Sequence, residues 1–150
     1  MKREIIKTSD GSTTIHIPEW NEQYHSIHGA IQEANHVYIQ HGLNYKTTNE
    51  ITVLEIGFGT GLNSFMTFLQ AQEKEIFIDY IGVEAFPILK EELLKLNYIS
   101  ELDATQFAEI FESFHSCSWD KKHQITSKFS LLKRKQFFHE IDDENKFDVI

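Results

Sequence analysis

Apolar and polar positions along this chain fall into several distinct periods. Residues 1–20 read as a short hairpin: Asp10-Gly11 in "TSDGST" is a turn signal, and "TTIHI" after it alternates. A helical stretch is predicted for "NEQYHSIHGAIQEANHVYIQHGLNY". There Ile27, Ala30, Ile31, Ala34, Val37 and Tyr38 share one face at i, i+3, i+4 spacing, and Gly42 is the stop. "EITVLEI" has the length and β-branched content of a buried strand, and "LNSFMTFLQAQ" is a helix with Leu62, Phe65, Met66 and Leu69 inward. "IFIDYIGVEAF" is a second strand-like run, after which Pro87 suits the first turn of a helix over "PILKEELLKLN". Periodicity makes residues 101–114 helical, "HQITSKFSLLKRKQFF" one or two strands, and "KFDVI" the start of another.

Strand, helix, strand, helix, strand, strand is the pattern of a parallel α/β sheet. Residues 1–50 are a hairpin and helical extension ahead of it, and the sheet begins at residue 51. A doubly wound sheet carries further strands beyond its switch point, so residues 51–150 are expected to be the N-terminal part of such a domain, broken off after the fourth strand begins. The 150-residue length is that of about one domain. No run approaches a membrane span, and the first residues lack the apolar stretch of a signal peptide. Cys117 is the single cysteine, which excludes disulfide frameworks and CxxC metal sites and suits a reducing cytoplasm. The net charge of −9, with Arg3 and Arg134 the only arginines, argues against an extended nucleic-acid surface. The "KRK" cluster at Lys133 to Lys135 reads as a solvated basic strand end.

The chemistry concentrates in "VLEIGFGTGLNSF". A strand delivers the chain to the carboxyl edge of the sheet, Gly57, Gly59 and Gly61 allow a tight turn and a close ligand, and a helix start offers unpaired N–H groups. The spacing is not GxxxxGK[ST], so a phosphate-binding P-loop is excluded. Nor is it GxGxxG, since Leu62 stands at the third glycine of that dinucleotide fingerprint. Glu55 repels a pyrophosphate and attracts an ammonium. S-adenosyl-L-methionine carries an ammonium, a carboxylate and a sulfonium but no phosphate, and it fits better than NAD. Glu84, closing the second strand, stands where an acid accepts hydrogen bonds from ribose hydroxyls. A branched side chain at Gly59 is expected to fill the ligand's space.

Two stretches also carry a family resemblance: "EIGFGTGLN", including Phe58 and Asn63, and upstream "SDGSTT…YHSIHGAIQEANHVYIQHGL". With "VEAFP", they resemble the methyltransferase domain of the MnmC/MnmD-type tRNA 5-aminomethyl-2-thiouridine methyltransferases, from about Ser9 to Ile150. The resemblance implies a class I, Rossmann-like methyltransferase sheet and S-adenosyl-L-methionine as cofactor. It implies N-methylation of the aminomethyl group of a tRNA wobble uridine in the cytoplasm, in a family some of whose members carry a fused oxidase domain. Cofactor-binding residues by this correspondence are Glu55, Gly57, Phe58, Gly59, Gly61, Asn63, Glu84 and Ala85. Tyr24, His25 and Glu33 line the amine pocket. The family's acceptor for the amine proton lies in an "FDAF"-like segment, placing it beyond Ile150. The family's acidic residue near the adenine is not matched, since "SLLKRKQFF" is basic there.

Other features read as bland. His25, His28, His36 and His41 contain no HxxxH or HExxH, so no metal is expected. Phe107, Phe111 and Phe114 read as core rather than a base-stacking platform, and Cys117 as an ordinary thiol. Two alternatives to the tRNA enzyme stay open: a class I methyltransferase acting on a small molecule or protein, and a non-catalytic module that retains the nucleotide fold.

Overall fold

The computed structural model describes residues 2–150. A small antiparallel sheet opens the chain, with β1 (Glu4–Lys7), β2 (Thr13–Ile17) and β3 (Glu22–Gln23) in that order. β1 and β2 are the hairpin expected around Asp10-Gly11, with Glu4 opposite His16 and Lys7 opposite Thr13. β3 is too short to show alternation and has no signature in the sequence.

The main sheet holds β4 (Glu50–Ile56), β5 (Phe77–Val83), β6 (Lys122–Thr126) and β7 (Phe129–Arg134) in the order β4-β5-β7-β6. β4, β5 and β7 are parallel, and β6 runs antiparallel to β7. On the other edge of β4, Val149 makes a parallel bridge to Val53, and the Leu54 N–H donates to the Val149 carbonyl at 3.0 Å. The chain therefore leaves β4 on one side and returns to it on the other. β4 flanks the point where the strand order reverses, and a crevice opens there at the carboxyl ends of the strands. The alternation of elements predicts the parallel α/β part of this sheet; the antiparallel β6 at its edge, which makes the sheet mixed, departs from that expectation.

Period-2 alternation decides what each strand faces. Ile51, Val53, Ile78, Tyr80, Phe129 and Leu131 point to the side covered by α2 (Leu62–Lys74) and α5 (Ala108–Ser116). Phe65, Phe68, Phe111 and Phe114 meet them there, with Phe68 and Phe129 edge to face at 5.6 Å and Phe114 stacked on Phe129 at 5.4 Å. The phenylalanine series is core, as its spacing predicts. Leu54, Ile81 and Val83 point to the opposite side, against Leu132, Ile141 and Phe147.

Three helix boundaries differ from expectation. The upstream helix starts at Ala30, not Asn21: α1 (Ala30–Glu33) continues as a π-helical segment, Ala34–Gln40. Ile27 lies before it and is exposed. The wider π turn rotates the apolar face, so that Ile39 is buried and Val37 exposed. Pro87 sits in an extended loop, and α3 (Lys90–Leu93) begins only at Lys90. Arg3 holds that loop by donating to the carbonyls of Phe86 at 2.6 Å and Pro87 at 3.2 Å. Residues 101–114 are not one helix. After α4 (Tyr98–Glu101), Asp103 turns left-handed at φ 50, and a single 3₁₀ turn leads into α5.

The start of α1 is fixed from outside the helix. Thr8 Oγ1 accepts from the Ala30 N–H at 3.3 Å, Ser12 Oγ from Ile31 at 3.3 Å, and Asp10 Oδ2 from Gln32 at 2.9 Å. The hairpin loop "TSDGS" is thus an N-cap supplied by a distant segment. Burial opposes the charge of Asp10, but donors from Ser12, Gln32 and Thr8 outweigh it and hold the carboxyl at about 2. A folded value below the ordinary 3.8 means that its stabilisation is present above about pH 4 and is lost as pH falls towards 2. Asp10→Ala is expected to cost about 1–2 kcal/mol at pH 7. In urea titrations its deficit against the parent should shrink at pH 3. An unchanged midpoint at pH 7 would remove the cap from the account of this helix.

Candidate functional site

β4 ends at Ile56, and the Gly57 and Phe58 N–H groups both donate to the Val83 carbonyl at 2.9 Å, which ties the loop to the end of β5. Gly57, Gly59 and Gly61 take φ values of 88, 50 and 74, so each spaced glycine answers a left-handed turn. Their surroundings differ. A Cβ on Gly59 would meet Tyr24 Cδ2 at 3.0 Å, and one on Gly61 would meet His115 Nε2 at 3.0 Å, whereas one on Gly57 meets nothing within 4 Å. The open side of the loop is at Gly57, not at Gly59 as the spacing alone suggests. Phe58 is turned into the core, against His115 and Trp119 and over Gly82, where a Cβ would lie 2.5 Å from Phe58 Cδ2.

Glu55 shares the parity of Ile51 and Val53, and this carries its carboxylate to the helix-covered side, where it is 8% exposed. Tyr80 Oη donates to Oε2 at 2.9 Å, and Asn63 Nδ2, from the first turn of α2, donates to Oε1 at 3.0 Å. Burial outweighs these two donors and pushes the carboxyl up to about 8. Asn63 Oδ1 is itself buried without a hydrogen-bond partner.

Glu84 follows β5 directly. Its Oε2 accepts from the Gly59 N–H at 2.9 Å and its Oε1 from the Phe86 N–H at 2.8 Å. The carboxylate is therefore part of the loop's scaffold. Ala85, next in the chain, lines an adjoining cleft of about 600 Å³ with Arg3, Phe86 and Lys135.

At the strand-order reversal lies a crevice of about 640 Å³. It gathers Tyr24, His25, Glu33, Glu55, Gly57 and Asn63, and Val149 closes one side. Of the residues singled out in the sequence, these six meet in one cavity; Phe58, Gly59, Gly61, Glu84 and Ala85 do not line it. His25 Nε2 lies 3.3 Å from Thr60 Oγ1, to which Tyr98 donates at 3.0 Å. His25 Nδ1 lies 3.8 Å from Glu33 Oε2, and burial holds the imidazole below its ordinary value. Glu33 also accepts from the Ser26 N–H at 2.8 Å, fixing the turn that presents His25. Sequence reading passed over Tyr80 and Tyr38: Tyr80 looked like any strand residue, and only the pairing of β4 with β5 brings its hydroxyl to Glu55.

Lys133 departs from its expected role as a solvated strand end. It is 1% exposed, donates to the His115 carbonyl at 2.9 Å, and lies 4.6 Å from the Trp119 ring centre. Its parity with Phe129 and Leu131 puts it on the helix-covered side. Arg134 pairs with Asp143. Among the described residues, no three His, Cys, Asp or Glu side chains are grouped to hold a metal ion, and no helix is long and apolar enough to cross a membrane.

The chain is similar over part of its length to proteins named tRNA 5-methylaminomethyl-2-thiouridine biosynthesis bifunctional protein MnmC. With that of Leptospira interrogans it shares 34% identity over 93 residues, 56% of this chain and 14% of the relative. With that of Leptospira borgpetersenii the figures are 32% over 110 residues, 67% of this chain and 16% of the relative. With that of Campylobacter jejuni they are 33% over 103 residues, 64% and 16%. The crystal structure of MNMC2 from Aquifex aeolicus superposes with a TM-score of 0.66 at 25% identity, covering 88% of this chain and 42% of that one. No family model matches. The similarity thus spans under a fifth of the length of these MnmC relatives.

Proposed function

Because the chain is of the MnmC type over the segment it shares with these relatives, we propose that residues 51–150 are the N-terminal part of a class I methyltransferase domain that binds S-adenosyl-L-methionine. Residues 1–50 are its hairpin and helical cover. The proposed reaction is N-methylation of the aminomethyl group of 5-aminomethyl-2-thiouridine at the tRNA wobble position, in the cytoplasm.

The observation that carries the cofactor reading is the buried Glu55 carboxyl, bonded to the amide of Asn63 whose Oδ1 is unpartnered, with both residues lining the cavity beside the open Gly57. That arrangement asks for a donor-rich cation and disfavours phosphate. Glu55 and Asn63 would hold the ammonium, the Gly57 backbone would lie against the ligand, and Glu84 would take the ribose hydroxyls. The cofactor, when bound, supplies a methyl group on positively charged sulfur. The chain's own part is alignment and exclusion of water. Tyr24 closes the loop over Gly59. Tyr24, His25 and Glu33 form the wall at which an aminomethyl group is received, with a neutral His25 held between Thr60 and Glu33.

One observation favours a second reading. Arg3 and Arg134 are both ion-paired within the fold and Lys133 is buried, so this segment offers little positive surface to a phosphate backbone. That suits a class I methyltransferase with a small-molecule or protein substrate. Calorimetry with S-adenosylhomocysteine and NAD tests the cofactor, with NAD expected to bind at least a hundredfold more weakly. Comparable affinities would sink the assignment. Transfer of labelled methyl to undermethylated tRNA, by a protein that also carries the expected "FDAF"-like segment, then decides between the two substrates.

A further inference from the structure

Among the described residues, Glu55 has no positively charged neighbour. Its hydrogen bonds come from Tyr80 on β5 and Asn63 on α2, both neutral. Glu84, beyond β5, is a further titratable group that bears on it and disfavours a negative charge there, and Tyr38, on the π-helical segment, is a neutral phenol nearby. Across the cavity stand Tyr24, His25, Glu33 and His41. No Lys, Arg or His nitrogen forms an ion pair with Glu55 among the described residues. A carboxylate buried in this way carries a charge that no described residue compensates.

The Asn63 amide offers two arrangements of the same pair. With Nδ2 on Glu55 Oε1, the carboxyl is an acceptor and Oδ1 is left without a donor. Turned by half a rotation, Oδ1 accepts a proton carried by Glu55; the pair then has no net charge, and the unpartnered end of the amide becomes its NH₂ group. The first arrangement is complete only when a cation with several N–H bonds enters the cavity. The second needs no cation, because it holds no charge to compensate.

Resting on the cofactor reading above, we infer that the site exchanges a proton for its ligand: Glu55 is protonated and bonded to Asn63 Oδ1 before binding, and loses that proton when the ligand's ammonium arrives. The Glu55 O–H bond breaks, the proton leaves to solvent, and the ammonium takes its place against Glu55 and Asn63 Oδ1. The position of the carboxyl at about 8 agrees, since the group is then mostly neutral at pH 7 in the absence of ligand. Ligand affinity thereby becomes pH-dependent in a range where the ligand itself does not titrate. The sign follows from linkage: a proton is released on binding below about pH 8, so affinity rises with pH there and levels off above.

The test is calorimetry of S-adenosylhomocysteine binding in buffers of different ionisation enthalpy at pH 6.5. The expected result is release of close to one proton per ligand, and a rise in affinity of about tenfold between pH 6 and pH 7. Methylthioadenosine, which lacks the ammonium, should bind with no proton release. Glu55→Gln should retain the methylthioadenosine affinity and, with S-adenosylhomocysteine, release no proton. Binding of S-adenosylhomocysteine to the parent with no proton release overturns the inference and leaves the cofactor reading standing. Release that persists in Glu55→Gln assigns the proton to another group and also overturns it. Failure of S-adenosylhomocysteine to bind at all overturns the cofactor reading, and the inference with it.

Discussion

Gly57→Ala is expected to weaken S-adenosylhomocysteine binding by about ten- to a hundredfold while the protein stays folded. The added methyl meets no atom of the protein within 4 Å, so the packing is untouched. The backbone at φ 88 charges alanine about 1–2 kcal/mol for the left-handed conformation. The larger effect falls on the ligand, because the methyl projects into the space where the loop backbone must be approached. Overpacking of that kind costs about 1–3 kcal/mol, and each 1.4 kcal/mol is a factor of ten in affinity. The neighbouring glycines supply the contrast. Gly61→Ala drives a methyl against His115 Nε2 at 3.0 Å, inside a buried ring cluster, and should lower thermal stability more than Gly57→Ala does. Gly59→Ala pushes on the ring of Tyr24, which is only half-buried and can swing aside. Isothermal calorimetry and melting on the three variants separate the cases. Gly57→Ala binding as well as the parent would move the ligand away from this side of the loop.

The strands of the main sheet were legible because each is a short apolar run rich in β-branched and aromatic residues, bounded by loops. The glycine turn was legible because spaced glycines after such a run have few structural uses. The parity of each strand was also written in the sequence, yet it was not applied to charged residues. Lys133 in "FSLLKR" and Glu55 in "EITVLEI" occupy the same face as their buried neighbours, and alternation alone puts both under the helices. What the sequence did not hold was long-range partnership. The helix boundary at Ala30 depends on Thr8, Asp10 and Ser12, about twenty residues away, and the apolar periodicity through Ile27 continues past the cap without marking it. The π-helical widening after Ala34 likewise breaks a 3.6-residue count that assumes one helix type. Tyr80 entered the site only through strand pairing, a relation that no local pattern encodes.

Glu84→Ala is expected to lower both ligand affinity and thermal stability, where a solvated acid at a strand end would lower affinity alone. The difference comes from the two backbone amides that its carboxylate accepts, Gly59 at 2.9 Å and Phe86 at 2.8 Å. Phe86 is exposed, and water replaces its lost acceptor. Gly59 is buried, and its N–H is left without one, which costs about 1–3 kcal/mol. A carboxylate has about four acceptor positions, and the loop uses two of them, so two ribose hydroxyls can be accepted without releasing the loop. Charged hydrogen bonds of that kind are worth about 1.5–3 kcal/mol, or about ten- to a hundredfold in affinity. Glu84→Gln divides the two roles. Its single amide oxygen can keep the Gly59 bond, but its NH₂ group then opposes the Phe86 N–H and one ribose hydroxyl loses its charged acceptor. About a tenfold loss of affinity is expected, with a melting temperature close to the parent's. Cofactor calorimetry and thermal melting on both variants give the measurement. Glu84→Ala with parental affinity and a lowered melting temperature would leave Glu84 as a scaffold of the glycine loop alone and place the ribose elsewhere.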